Sequence, residues 1–172
     1  MVSKEDLLGR DIIPYTALMP ELDAIMTSHV RFPMLDQEHP ASLSRAIIYD
    51  FLRMQLGFDR HLILTDDLDM GAIQHAYGPG TDVQQAIAAG NDIALICHQM
   101  ERADDALASL ADLSPTILDE SESRIERFRK KLHGPLLWSD AAWQKTCEAL
   151  EQLRDQVPSA TEVKADSPVA RY

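Results

Sequence analysis

Cysteine is scarce in this chain: only Cys97 and Cys147 occur among 172 residues, 50 positions apart. That spacing excludes a disulfide framework and a Cys-x-x-Cys metal clip. Within the run DIALICH, Cys97 reads as a buried strand residue, and Cys147 reads as a helix residue. Long apolar runs are missing too. Nothing approaches the roughly 20 apolar residues of a bilayer-crossing helix. The opening MVSKEDLLGRD has no apolar core of the kind a secretory signal carries. The expected location is the cytoplasm, with no membrane contact.

Positive charge is also short. Lys and Arg total 16 against 28 Asp and Glu, a net charge of −12. A nucleic-acid partner is excluded on that balance, because phosphate binding relies on clustered cations. The one basic cluster, RIERFRKKLH at 124–133, includes an acid and reads as a solvated helix face. There is no internal repeat and no EF-hand spacing.

What is present is an apolar content of 45%, enough for one domain with a real core. Three runs stand out: LDAIMTSHV (22–30), HLILTDD (61–67) and NDIALICH (91–98). Each is nearly continuous rather than alternating, which predicts strands buried on both faces of a parallel sheet. Between the first two, Leu43, Ile47, Phe51 and Met54 recur at helical spacing, Ser42 or Ser44 can cap, and Gly57 can end the helix. Between the second and third, Thr81 is the expected N-cap, Val83, Ala86 and Ile87 share a face, and Gly90 closes the helix. The pattern is β-α-β-α-β, an α/β fold with right-handed crossovers.

From about residue 100 the signal is helical only. Ile117, Ile125 and Phe128 follow a helical period, as do Trp143, Leu150 and Leu153. After Val157 no periodicity remains, and 158–172 reads as a disordered tail. Each strand run ends in polar residues, TSHVR, TDDLD and CHQ. Parallel strands place ligand sites at those carboxyl ends. Asp66, Asp67 and Asp69 are thus delivered to a site by a buried strand. Carboxylates at 67 and 69 could suit Mg²⁺ or Ca²⁺, but the required pattern is missing and helix-start capping accounts for Asp69. No metal and no cofactor is expected. His29 and His98 fit either a pocket role or a structural one, while His39, His61, His75 and His133 read as structural or exposed. Met26 and Met70 read as packing residues.

Three motifs carry a resemblance: DAIMTSHVRFPMLDQEHPASLS (23–44), LRMQLGFDRHLILTDDLDMGAI (52–73) and AIAAGNDIALICH (86–98). They resemble the C-terminal part of the catalytic barrel of glycoside hydrolase family 3, in its bacterial β-N-acetylhexosaminidase branch. ILDESESRIERFRKKL (117–132) resembles the helix that closes that domain. The resemblance implies about three β/α units of a TIM-type (β/α)8 barrel followed by α-helices, with 1–133 the partial barrel domain and 134–157 a C-terminal helix. It implies retaining hydrolysis of terminal β-linked N-acetylglucosamine, with Asp66 as nucleophile. A nucleophilic carboxylate must be ionised, so donors are expected around Asp66, with Asp67 turned into supporting contacts. His29 and Arg31 are implied to line the sugar pocket. In bacteria such enzymes commonly act on cell-wall muropeptide fragments, so the implied partner is a carbohydrate.

Two departures qualify that picture. The family's Lys-His-Phe-Pro-Gly-His-Gly strand end and the Asp-Ser-His loop that supplies its acid/base occur nowhere in these 172 residues. A complete barrel needs about 250 residues. Arg60 and His61 also stand where the family has a glycine before the strand. Two readings follow. One is an enzyme; the other is a non-catalytic fragment whose open sheet edges call for an N-terminal barrel fragment or for self-association.

Overall fold

The computed structural model describes residues 2–78 and 80–156. It divides into two units, residues 1–131 and 132–172. The expected tail, 158–172, lies outside the described residues.

In the first unit, three strands form one parallel sheet in the order β1-β2-β3. They are β1 (Ala24–Thr27), β2 (Leu62–Asp67) and β3 (Ile93–Leu95). All three lie inside the apolar runs, as sequence pattern required, although each is shorter than its run. β1 and β2 pair in uninterrupted register from Ala24 opposite Leu62 to Thr27 opposite Thr65. Between β2 and β3 the register shifts after Leu64, and Thr65 closes the gap: its buried hydroxyl accepts from the backbone N–H of Leu95 at 3.0 Å.

A π-wound helix, Ala46–Gln55, follows β1, and an α-helix, Thr81–Ala89, follows β2. Ile47, Ile48 and Ala89 of these helices pack with Ile63 of β2 and Ala41, burying one face of the sheet. Full burial of side chains such as Ile48 and Ile63 contributes about 1.5–3 kcal/mol each. Gly57 and Gly90 follow the two helices with φ of 87° and 111°, the left-handed turn that glycine makes at least cost.

Several expectations need correction. Met26 is not a packing residue; it is 58% exposed, because β1 is an edge strand and strand alternation turns it away from the buried Thr27. β1 is therefore not buried on both faces. Met54 is exposed rather than inward-facing. Thr81 begins its helix instead of capping it, and Gly80, with φ of 77°, holds the cap position. Ser44 does cap, its hydroxyl accepting from the N–H of Ile47 at 3.2 Å. Cys97 is exposed, since β3 ends at Leu95 and the chain has left the sheet two residues later.

Beneath the sheet, at the amino ends of the strands, Arg53 is only 2% exposed and donates to the carbonyls of Gly90, Phe58 and His61 and to the Asp92 carboxylate. Asp92 also accepts from the N–H of Ile63 and from Arg124, on the helix Pro115–Arg129. One buried ion cluster thus fixes both crossover helices, β2 and β3 to one another.

In the second unit, the helix Asp140–Gln156 presents Trp143, Leu150 and Leu153, each more than half exposed. Trp143 stacks on Trp138 at 5.7 Å between ring centroids. Among the described residues no helix is long and apolar enough to cross a membrane.

Candidate functional site

The site is built at the carboxyl end of β2. Leu62 and Ile63 are buried, Thr65 is locked to β3, and the next two residues, Asp66 and Asp67, emerge half-buried at the strand end. The two carboxylates then differ sharply. Asp67 is fully engaged: one oxygen accepts from the N–H groups of Asp69 and Cys97 at 3.0 and 3.2 Å, and the other lies 3.3 Å from Nε2 of His98. Asp66 accepts, among the described residues, one hydrogen bond, from the N–H of Asp67 at 2.8 Å. Of the two, Asp66 has the fewer internal partners among the described residues.

His29 is brought to this strand end, but by its ring nitrogens it serves the chain itself. Nε2 lies 2.8 Å from the Asp67 carbonyl and Nδ1 lies 2.6 Å from Oγ of Ser42. A carbonyl only accepts, so Nε2 carries the proton, and in the neutral ring Nδ1 accepts from the Ser42 hydroxyl. Arg31 is used elsewhere: its guanidinium donates to the carbonyls of Gln37 and Glu38 at 2.6 and 3.0 Å, closing the loop after β1. Asp36 organises the same loop. Burial pushes its carboxyl up, but the hydroxyl of Ser44 and the N–H groups of His39 and Glu38 outweigh that and hold it at about 2.

Asp69 does not cap a helix. It is a buried acceptor for the N–H groups of His98 and Gln99, both at 2.8 Å, and for the Arg102 guanidinium at 2.6 Å. The same guanidinium reaches Asp82 at 2.6 Å. Burial pushes the Asp69 carboxyl up, yet these donors together keep it below its ordinary value. The turn after β3 is thereby clamped to the turn after β2. A further hub is Asn91, fully buried, whose amide donates to the carbonyls of Ser42 and Ala86 and whose oxygen lies 3.2 Å from the Thr27 hydroxyl.

Arg102, Asp82, Asn91 and Ser42 were not predicted from sequence as parts of the site. Their partners lie up to 64 positions away, and only the fold brings them together. The Cys97 thiol sits at the rim. Desolvation, then the charge and hydrogen bonding of Asp67 and the charges of Asp69 and Asp66, push it above the ordinary thiol range. Among the described residues no group of three or more His, Cys, Asp or Glu is arranged to hold a metal ion.

Comparison with known proteins bears on this arrangement. The glycosyl hydrolase family 3 N terminal domain matches residues 1–128. A β-hexosaminidase of Thiobacillus denitrificans is 39% identical over 165 residues, covering 95% of this chain and 45% of that protein. A β-hexosaminidase of Pseudomonas aeruginosa is 36% identical over 129 residues, 75% of this chain and 37% of its own length. Among solved structures, a glycoside hydrolase family 3 β-N-acetylglucosaminidase from Paenibacillus superposes with a TM-score of 0.73 at 32% identity, over 80% of this chain and 28% of its own. The chain therefore spans less than half the length of these relatives. With a family match over most of its length and its parallel sheet superposing on a member's, this chain belongs to glycosyl hydrolase family 3, in the region of its N-terminal domain.

Proposed function

We propose that this chain carries the nucleophile of a retaining glycoside hydrolase acting on terminal β-linked N-acetylglucosamine. The observation that carries the reading is the contrast between Asp67, engaged at both carboxylate oxygens, and Asp66, held by a single backbone N–H. Asp66 attacks the anomeric carbon, the bond from that carbon to the leaving oxygen breaks, and the glycosyl ester that forms is cleaved by water. The leaving oxygen takes its proton from a general acid. The resemblance assigns that acid to an Asp-Ser-His loop, which does not occur in this sequence. Cell-wall muropeptide fragments are the natural substrates in this reading, and no cofactor takes part.

Residues 1–133 are then part of a (β/α)8 barrel; of the stretch 134–157 expected as a C-terminal helix, the helix itself is Asp140–Gln156. His29 acts by holding the strand end, and Arg31 by holding the rim loop of the sugar pocket. The related β-hexosaminidases and β-N-acetylglucosaminidase support the substrate class.

A fluorinated N-acetylglucosaminyl donor with an activated leaving group tests the assignment, because its departure needs no general acid. Incubation followed by peptide mass mapping should place the glycosyl label on the peptide containing Asp66, and Asp66→Asn should abolish it. A label on any other carboxylate, or none on the folded chain, sinks the nucleophile assignment.

A further inference from the structure

The basic stretch 124–133 is not only a solvated face. Part of it returns to the amino end of β2, where Arg60 closes the short turn Phe58–Arg60 and the helix Pro115–Arg129 packs against the strand. A cleft of about 180 Å³ opens there. Leu62 and Phe128 give it an apolar lining, and Arg60, Arg124, Arg127 and Lys131 surround it with positive charge. One carboxylate, that of Asp23, shares the cleft. In a chain of net charge −12, four cations around a single acid reverse the overall balance.

The four cations are not equally occupied. Arg124 is engaged by Asp92 at 2.7 Å and Glu120 at 3.7 Å, and Lys131 pairs with Asp23. Arg60 and Arg127 meet no carboxylate among the described residues, and the Arg127 guanidinium reaches the Arg60 carbonyl at 3.5 Å. Two guanidinium groups thus stand at one cleft without an ion-pair partner, each a planar fork that matches two oxygens of a tetrahedral anion. An anion of two charges between them replaces their mutual repulsion with attraction. The acids nearby limit its size. Asp59, Asp119 and Glu120 line the adjoining cavity, so an extended polyanion would meet like charge there, whereas a compact one fits within the smaller cleft.

We infer that this cleft binds a phosphoryl dianion, free or esterified, gripped by Arg60 and Arg127 with Lys131 at its margin. The site is independent of the glycosidase chemistry, because Asp66 lies at the other end of β2, about 13 Å along the strand from Leu62. It does not follow from the family pattern either, since Arg60 stands where the resemblance places a glycine. Bound there, the anion ties the turn before β2 to the helix Pro115–Arg129, and it stabilises the fold as its concentration rises.

Isothermal titration of this chain with inorganic phosphate, against sodium chloride of matched ionic strength, tests the site, and thermal scans in the same solutions read the linked stability. Phosphate should bind at one site and raise the thermal midpoint, and chloride should do neither. Arg60→Gln and Arg127→Gln should each raise the dissociation constant roughly tenfold, as expected for losing hydrogen bonds to a charged group. Neither side chain has a carboxylate partner to lose, so the midpoint without phosphate should stay unchanged. Arg129→Gln, exposed on the same helix and paired with Glu126, should bind phosphate as the parent does. Phenyl phosphate separates the sources. Tighter binding than phosphate upholds the site for an ester whose apolar group covers Leu62 and Phe128, and weaker binding upholds it for the free ion. No binding beyond that of chloride, or binding unaltered in both Arg60→Gln and Arg127→Gln, overturns the site. An equal loss in Arg129→Gln overturns it in favour of diffuse attraction to the basic stretch.

Discussion

The ring of His29 joins the carbonyl of Asp67 across 2.8 Å, so a residue two positions beyond β1 fixes the backbone at the end of β2. Its second nitrogen holds the buried hydroxyl of Ser42. Removing the ring leaves that hydroxyl and the Asp67 carbonyl without their partner, which costs about 1–3 kcal/mol. His29→Ala should lower stability in urea unfolding by that amount, and His29→Gln, whose amide offers a donor and an acceptor, should lose less. Equal losses would show that bulk, not bonding, matters at 29.

Arg102 is the larger dependency. Its guanidinium stands between Asp69 and Asp82, whose side chains are both fully buried. Arg102→Met strands two buried carboxylates, and breaking such a pair costs about 3–5 kcal/mol. Hydrogen exchange at the amides of His98 and Gln99, which Asp69 also holds, should accelerate in step. A loss under 1 kcal/mol, or unchanged exchange at those two amides, contradicts the clamp.

How far the site was legible follows from the range of each interaction. Asp66 and Asp67 were legible because an apolar run ends on them, and that run is β2. The helix face of Val83, Ala86 and Ile87 was legible for the same local reason. Met26 and Cys97 were misread because hydrophobic pattern records what a residue is, not whether its strand has a neighbour or has already ended. Asp69 was misread as a cap because its partner Arg102 lies 33 positions away. No short-range pattern records such a pairing.

The Cys97 thiol gives a readout of the carboxylates around it. Desolvation raises it first, and Asp67, Asp69 and Asp66 add to the rise. Although exposed, it should react with iodoacetamide at pH 7.5 more slowly than a free thiol, whose ordinary value is about 8.5, with the rate climbing only at higher pH. Asp67→Asn removes a hydrogen bond and a charge and should accelerate it. A rate equal to that of a free thiol, unaltered in Asp67→Asn, excludes this coupling.

Asp36 sets the acid limb of stability. Despite the upward push of burial, Ser44, His39 and Glu38 bring its folded value from 3.8 to about 2. A carboxyl with a depressed folded value stabilises the fold while ionised, so its contribution is present above about pH 4 and fades as pH falls toward about 2. The unfolded chain takes up the proton first, and that uptake drives the loss. Asp36→Asn should therefore flatten urea stability between pH 4 and 2 and leave less stability than the parent at pH 6, because the amide forms only part of the same set of bonds. Ser44→Ala should shift the limb upward in pH rather than remove it, since the two backbone donors remain. If the parent and Asp36→Asn lose stability in parallel over that window, other carboxylates govern the acid transition, and the loop after β1 does not depend on the charge at 36.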